Sequence, residues 1–282
     1  MEINSEEQNI ENSERKSPVT EAYPSIKGAF ALIGIFVLIS LILALPVAVL
    51  YSHTEPVYKS MITAISYVVS MLLFLFVGLR LRRSLRFSFK ASPFSVFVMV
   101  IPLMVCITIL LEPLINLIPM PDLFKAYFDE MLSTDMYTFL TVAVAAPILE
   151  ELVFRGIILD GFLKRYSPLK SILWSSIFFG IAHLNPWQFI EAFSIGLVMG
   201  WLYNKTRSLH LCMFMHMVTN AFGFAVIFYT GSGSGSTDEL FTNHNFYWVV
   251  YGICIAFTII LLVMINHKLQ KPKEIATENS ED

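Results

Sequence analysis

The sequence predicts an all-α, polytopic membrane protein with about eight transmembrane helices. Three observations carry this. Apolar runs of roughly 17 to 25 residues recur along the chain, separated by short polar breaks. Of the 282 residues, 56% are hydrophobic and only 15% charged, with a mean hydropathy of +0.65, too little charge to cover a soluble domain of this size. The lysines and arginines fall in alternate inter-helix segments. Because the apolar runs are continuous rather than alternating, a β-barrel is disfavoured.

Residues 1–27 are polar and glutamate-rich and are expected to form a disordered tail, not a signal peptide. The spans then read as Gly28–Tyr51, Ser60–Leu79, Ser95–Ile118, Met136–Phe162, Leu169–Leu184, Trp187–Tyr203, Leu209–Tyr229 and Phe246–Ile265. Phe124–Leu132 reads as a short interfacial helix before the fourth span. Residues 28–266 make up the transmembrane domain, with a catalytic core at about 136–229, and 267–282 a C-terminal tail.

Basic residues test the count of spans. Arg15, Lys16 and Lys27 precede the first. Arg80, Arg82, Arg83, Arg86 and Lys90 follow the second. Lys164, Arg165 and Lys170 follow the fourth, Lys205 and Arg207 the sixth, and Lys268, Lys271 and Lys273 the eighth. Only Lys59 and Lys125 occupy the other set of loops. The bias predicts that both termini are cytoplasmic, and an odd number of spans would scramble it. The glycine- and serine-rich loop Gly231–Asn245 is then external and flexible. Gly196 and Gly200 form a GxxxG, read as close helix packing. Cys106, Cys212 and Cys254 all lie in apolar segments and read as small buried hydrophobes.

Ionisable residues in a bilayer are costly and need partners, so they are functional candidates. Glu150, Glu151 and Arg155 lie on span four, His183 and Asn185 at the end of span five, Glu191 on span six, and His216 and Asn220 on span seven. Glu151 and Arg155 are one helical turn apart and can pair. Glu150 points about 100° away and is freer for chemistry. Helical rise from the basic anchors gives depth. Glu150 is roughly 21 Å from Lys164, His183 roughly 20 Å from Lys170, and Asn220 roughly 20 Å from Arg207, with His216 one turn nearer the anchor. Three spans thus deliver polar groups to one level. Pro186 stops span five, and Pro147 frees a carbonyl before Glu150, so backbone here lines a polar cavity.

Hydrolysis fits these groups. Glu150 can act as a general base on a water that His183 helps to hold, and His216 and Asn220 offer donors to a developing oxyanion. The alternative is a Zn2+ ion held by Glu150, His183 and His216 with an open water position, although no HExxH is present. There is no GxSxG, and a Cys212–His216 thiolate pair would lie a turn too near the basic end. Glu191 reads as cavity lining or as a charge near a helix N-terminus.

Three segments resemble a known family. Glu150-Glu151-Leu-Val-Phe-Arg155-Gly156 matches EExxxRG, Phe179-Gly-Ile-Ala-His183 matches FxxxH and is followed by Asn185, and His216-Met-Val-Thr-Asn220 matches HxxxN. In this order they resemble the CPBP intramembrane proteases, also called the Abi or CAAX-protease family. That family includes type II endopeptidases that process prenylated CAAX proteins, and bacteriocin-processing or self-immunity proteins. The resemblance implies an eight-helix all-α core, with Glu150 and His183 activating water and His216 and Asn220 holding the oxyanion. It gives supporting roles to Glu151 and Arg155, and leaves zinc open. The expected partners are a peptide or membrane-protein substrate and the lipid bilayer, not nucleic acid, in a cell membrane that is expected to be prokaryotic. The competing class is a non-proteolytic membrane interaction or bacteriocin-immunity protein using the same cavity. A transporter would want an internal repeat, and none is visible.

Overall fold

The computed structural model describes residues 22–122, 124–125, 134–231, 236–241 and 243–270. Most of the expected interfacial helix, the tail before residue 22, the tail after 270 and part of the glycine–serine loop lie outside them. Among the described residues there are eight long helical elements and no strand. They are α1 (Ile26–Ser52), α2 (Pro56–Arg82), α3 (Phe94–Ile115), α4 (136–163), α5 (Pro168–Ile181), α6 (Pro186–Thr206), α7 (Leu209–Thr230) and α8 (His244–Gln270).

Local chemistry sets their ends. Ser25, Asp135, Asn185 and Ser208 cap α1, α4, α6 and α7 by accepting from backbone N–H groups of the first turn. Pro56, Pro168 and Pro186 occupy first positions, where a missing N–H costs nothing. Left-handed residues Arg83, Arg207 and Gly231 end α2, α6 and α7. α5 stops at Ile181, three residues short of the expected end, so His183 sits in the turn between α5 and α6.

Five helices, α1, α2, α3, α7 and α8, are long and apolar enough to cross a membrane by composition. The other three expected spans become α4, α5 and α6; α4 carries Glu150, Glu151 and Arg155. α1 and α8 turn large apolar side chains outward, among them Leu41, Ile42, Leu45, Ile253 and Val263. Only lipid suits such surfaces, and the chain is an integral membrane protein. α5 and α6 form the most extensive helix pair, with Gly196 against Ser176 and Gly200 against Ile172. The GxxxG is therefore a packing seam. The core runs from Leu32 and Phe74 through Val153, Ile158 and Phe178 to Met199 and Met215.

Asp160 gathers one end of the bundle. It pairs with Arg82 at 2.9 Å, Lys164 at 2.6 Å and Arg207 at 3.3 Å. The ends of α2 and α4 and the α6–α7 turn therefore meet at a basic end. There the α2–α3 linker docks through Ser88 and Lys90 on the Arg207 carbonyl, and through a bridge from Phe89 to Ser208. At the opposite end, Glu112 of α3 accepts from Thr237 N at 3.1 Å, from its hydroxyl at 3.2 Å and from Ser236, strapping residues 236–240 down.

Candidate active site

α4 is not a uniform helix. Two π-helical stretches, Thr141–Ala145 and Phe154–Leu159, flank an α-helical segment, Ala146–Val153, that carries both glutamates. Such interruptions gather at functional sites because they re-aim side chains. The first has a visible cause. In the π register Ala146 N–H bonds the Thr141 carbonyl, so the next donor would serve Val142. That next residue is Pro147, which has no N–H. Asn220 of α7 supplies the missing donor, its Nδ2 lying 2.8 Å from the Val142 carbonyl.

The two glutamates part company. Glu151 is fully buried, and its Oε1 accepts from Arg155 Nη1 at 2.7 Å and from His216 Nδ1 at 3.0 Å. Because the acceptor is a carboxylate, His216 holds a proton on Nδ1 and presents Nε2. Nε2 lies 3.9 Å from Glu150 Oε2. That oxygen is buried and has no hydrogen bond among the described residues. The other oxygen, Oε1, accepts from the Tyr67 hydroxyl of α2 at 2.5 Å. A gap of 3.9 Å is within reach of one water placed to the side of the line between the two atoms.

Phe179 of α5 is the hub of this arrangement. Arg155 lies over its ring at 4.3 Å. The rings of His183 and His216 meet it edge-on, with centroids at 5.3 and 5.5 Å. His183 Nδ1 lies 2.9 Å from the Phe179 carbonyl, which leaves its Nε2 for other partners. Both imidazoles are thus oriented around one aromatic face. Asn185 is a structural piece: its amide oxygen caps α6 on Gln188 N, and its Nδ2 donates to the His183 carbonyl at 2.9 Å, fixing the turn that carries His183.

Of the residues singled out from sequence, Glu150, Glu151, Arg155 and His216 form one connected cluster, and His183 joins it through Phe179. Asn220 reaches the cluster's helix rather than its carboxylates. Glu191 of α6 lies within electrostatic reach of both Glu112 and His216. Cys212 is buried and directs its thiol to the Met199 carbonyl at 3.7 Å, away from His216. Tyr67 was missed. The depth rule could have found it, since it lies 13 residues before Arg80, roughly 20 Å along α2.

The zinc alternative names Glu150, His183 and His216 as ligands. Among the described residues no three His, Cys, Asp or Glu side chains converge in ligating geometry. His216 Nδ1 is engaged by Glu151 and His183 Nδ1 by a carbonyl.

Fold and site together define a class: a polytopic all-α membrane protein with a buried acid–imidazole cluster on its inner helices. Residues 132–222 match the family model for type II CAAX prenyl endopeptidase, Rce1-like. Over that segment the chain is similar to the CPBP family, the CAAX-protease family. Over 80 residues it is 30% identical to "Putative membrane peptidase YdiL" of Bacillus subtilis strain 168, covering 28% of this chain and 33% of that protein. Over 94 residues it is 32% identical to the membrane-embedded CAAX protease MroQ of Staphylococcus aureus strain USA300, covering 31% of this chain and 37% of that protein. Over 108 residues it is 31% identical to an uncharacterized 24.3 kDa protein of Escherichia coli, covering 36% of this chain and 50% of that protein. The matches span about a third to a half of the length of these relatives. No solved structure matches.

Proposed function

We propose that the protein is an intramembrane endopeptidase that hydrolyses a peptide bond of a membrane-associated protein or peptide, with its catalytic core in 136–229. The observation that carries the reading is the buried, unbonded Glu150 Oε2 at 3.9 Å from His216 Nε2. A carboxylate oxygen left without a donor in an apolar setting is costly, and a bound water offsets that cost.

In the proposed reaction Glu150 takes a proton from this water, held also by His183 Nε2, and the resulting hydroxide attacks the scissile carbonyl carbon. The carbonyl oxygen becomes an oxyanion. His216, whose ring Glu151 holds at Nδ1, stabilises it from Nε2. An amide has two N–H groups, and Asn220 gives one to Val142 and the other to the oxyanion. Collapse breaks the C–N bond, and Glu150 delivers its proton to the leaving amine. Glu151, paired with Arg155 through Oε1, fixes the His216 ring without touching substrate.

The basic end, with both termini, faces the cytoplasm of a prokaryotic cell in this reading. Comparative proteomics of membranes from wild-type and Glu150→Gln cells tests the activity. The variant is expected to accumulate at least one membrane precursor whose shorter product disappears, with its own level and membrane insertion unchanged. Identical precursor and product levels in the two strains, with an unidentified partner still co-purifying, would favour a binding role instead.

A further inference from the structure

Every polar group given a role in the reaction so far comes from α4, α7 or the turn after α5, yet the Glu150 carboxylate is held by a further helix. The Tyr67 hydroxyl of α2 donates to Glu150 Oε1 at 2.5 Å, across 83 positions of sequence. It belongs to none of the three motifs. Its neighbours on the inner face of α2, Met71 and Phe74, are apolar core residues, so the phenol is a polar group placed where packing alone would favour another hydrophobe.

We propose that Tyr67 is a positioning residue for Glu150, a role that rests on the hydrolytic reading above. A carboxylate bound at neither oxygen samples rotations about its terminal torsion, which has broad, shallow wells. A hydrogen bond to one oxygen removes that freedom and fixes where the other points. Here Oε1 is held by Tyr67, and Oε2 is thereby directed toward His216 Nε2 at 3.9 Å. The two oxygens acquire separate tasks. Oε1 is the anchor, and Oε2 receives the proton from water and later returns it to the amine. Because the bond from Tyr67 is charge-assisted, it opposes exchange of these roles during the cycle. The anchor sits on α2, so a shift of α2 against α4 moves the base itself.

The test uses full-length protein and Tyr67→Phe, which removes the hydroxyl and keeps the ring. In pulse-labelled cells, conversion of the precursor that accumulates with Glu150→Gln is expected to slow about tenfold or more in Tyr67→Phe. Infrared difference spectra of the purified proteins supply a readout that general loosening would not move. The carboxyl band absent from Glu150→Gln is expected to shift in Tyr67→Phe and to stay in place in Met71→Leu, a change on the same face of α2. Wild-type conversion by Tyr67→Phe, or an unmoved carboxyl band, overturns the role of Tyr67 while leaving Glu150 as base. No precursor in Glu150→Gln cells overturns the hydrolytic reading itself, and the role of Tyr67 with it.

Discussion

Glu150 and Glu151 are neighbours in sequence and opposites in circumstance. Glu151 has a cation at 2.7 Å, an imidazole at 3.0 Å and no exposure. Glu150 has one neutral donor, the Tyr67 hydroxyl, and no cation bonded to it; each glutamate keeps one buried oxygen, Oε2, without a hydrogen bond among the described residues. Removing one member of a buried pair strands the other as an uncompensated charge, at a cost of roughly 3–5 kcal/mol. Arg155→Met should therefore lower the unfolding midpoint by roughly 10 °C. Glu151→Gln combined with Arg155→Met should recover part of that loss, because neither charge is left. Cys106, Cys212 and Cys254 are all free and buried, so a thiol-reactive dye in detergent reports the transition without labelling native protein. This difference between the glutamates was legible in the sequence, since helical spacing alone pairs Glu151 with Arg155. The destination of the freed His216 ring was not, because it depends on how α7 lies against α4. Tyr67 stayed invisible for a related reason: a tyrosine in an apolar span reads as packing until its hydroxyl is seen to meet an acid.

Helices were legible where their ends carry capping chemistry, as at Ser25, Asp135, Asn185 and Ser208, and less so where a turn takes over from the last helical residues, as before His183. The π-helical stretches of α4 left one trace in the sequence, Pro147. Their register is a tertiary result, because Asn220 must be in reach before Val142 can give up a helical donor. The second stretch has its own constraint at Gly156. A Cβ built there would come within 2.6 and 2.7 Å of two Phe87 ring carbons, and Arg82 Nη1 donates to the Gly156 carbonyl at 2.7 Å. The glycine that closes EExxxRG thus admits the ring of the α2–α3 linker against α4. Gly156→Ala should cost about 1–3 kcal/mol by overpacking. Since Phe87 is a side chain with room to be trimmed, Phe87→Leu in the same protein should restore much of it. The same dye-monitored melts check both, and a Gly156→Ala protein as stable as wild type would show that the linker has slack there.

On the scale of the whole molecule, polarity is sorted from inside to outside. The outward surfaces of α1 and α8 carry side chains that suit acyl chains. The polar cluster is enclosed by α2, α4, α5 and α7, and Asp160 with three cations closes one end. Five helices, α1, α2, α3, α7 and α8, are unbroken and long enough to span by length and composition, whereas α5 is apolar but only 14 residues long and α4 is divided by its π-helical stretches. The charges of α4 are tolerated because protein, not lipid, surrounds them. The same sorting fixes what an orientation experiment should find. If the segregated lysines and arginines set the insertion, the α1–α2 turn is external and the α2–α3 linker internal. His53 is exposed in the first and Leu85 is 78% exposed in the second, and the native thiols, being buried, give little background. In intact cells a membrane-impermeant maleimide should label His53→Cys and not Leu85→Cys. After permeabilisation both should react. Labelling of Leu85→Cys alone in intact cells would invert the protein, put both termini outside, and turn the strap of residues 236–240, held by Glu112, toward the cytoplasm.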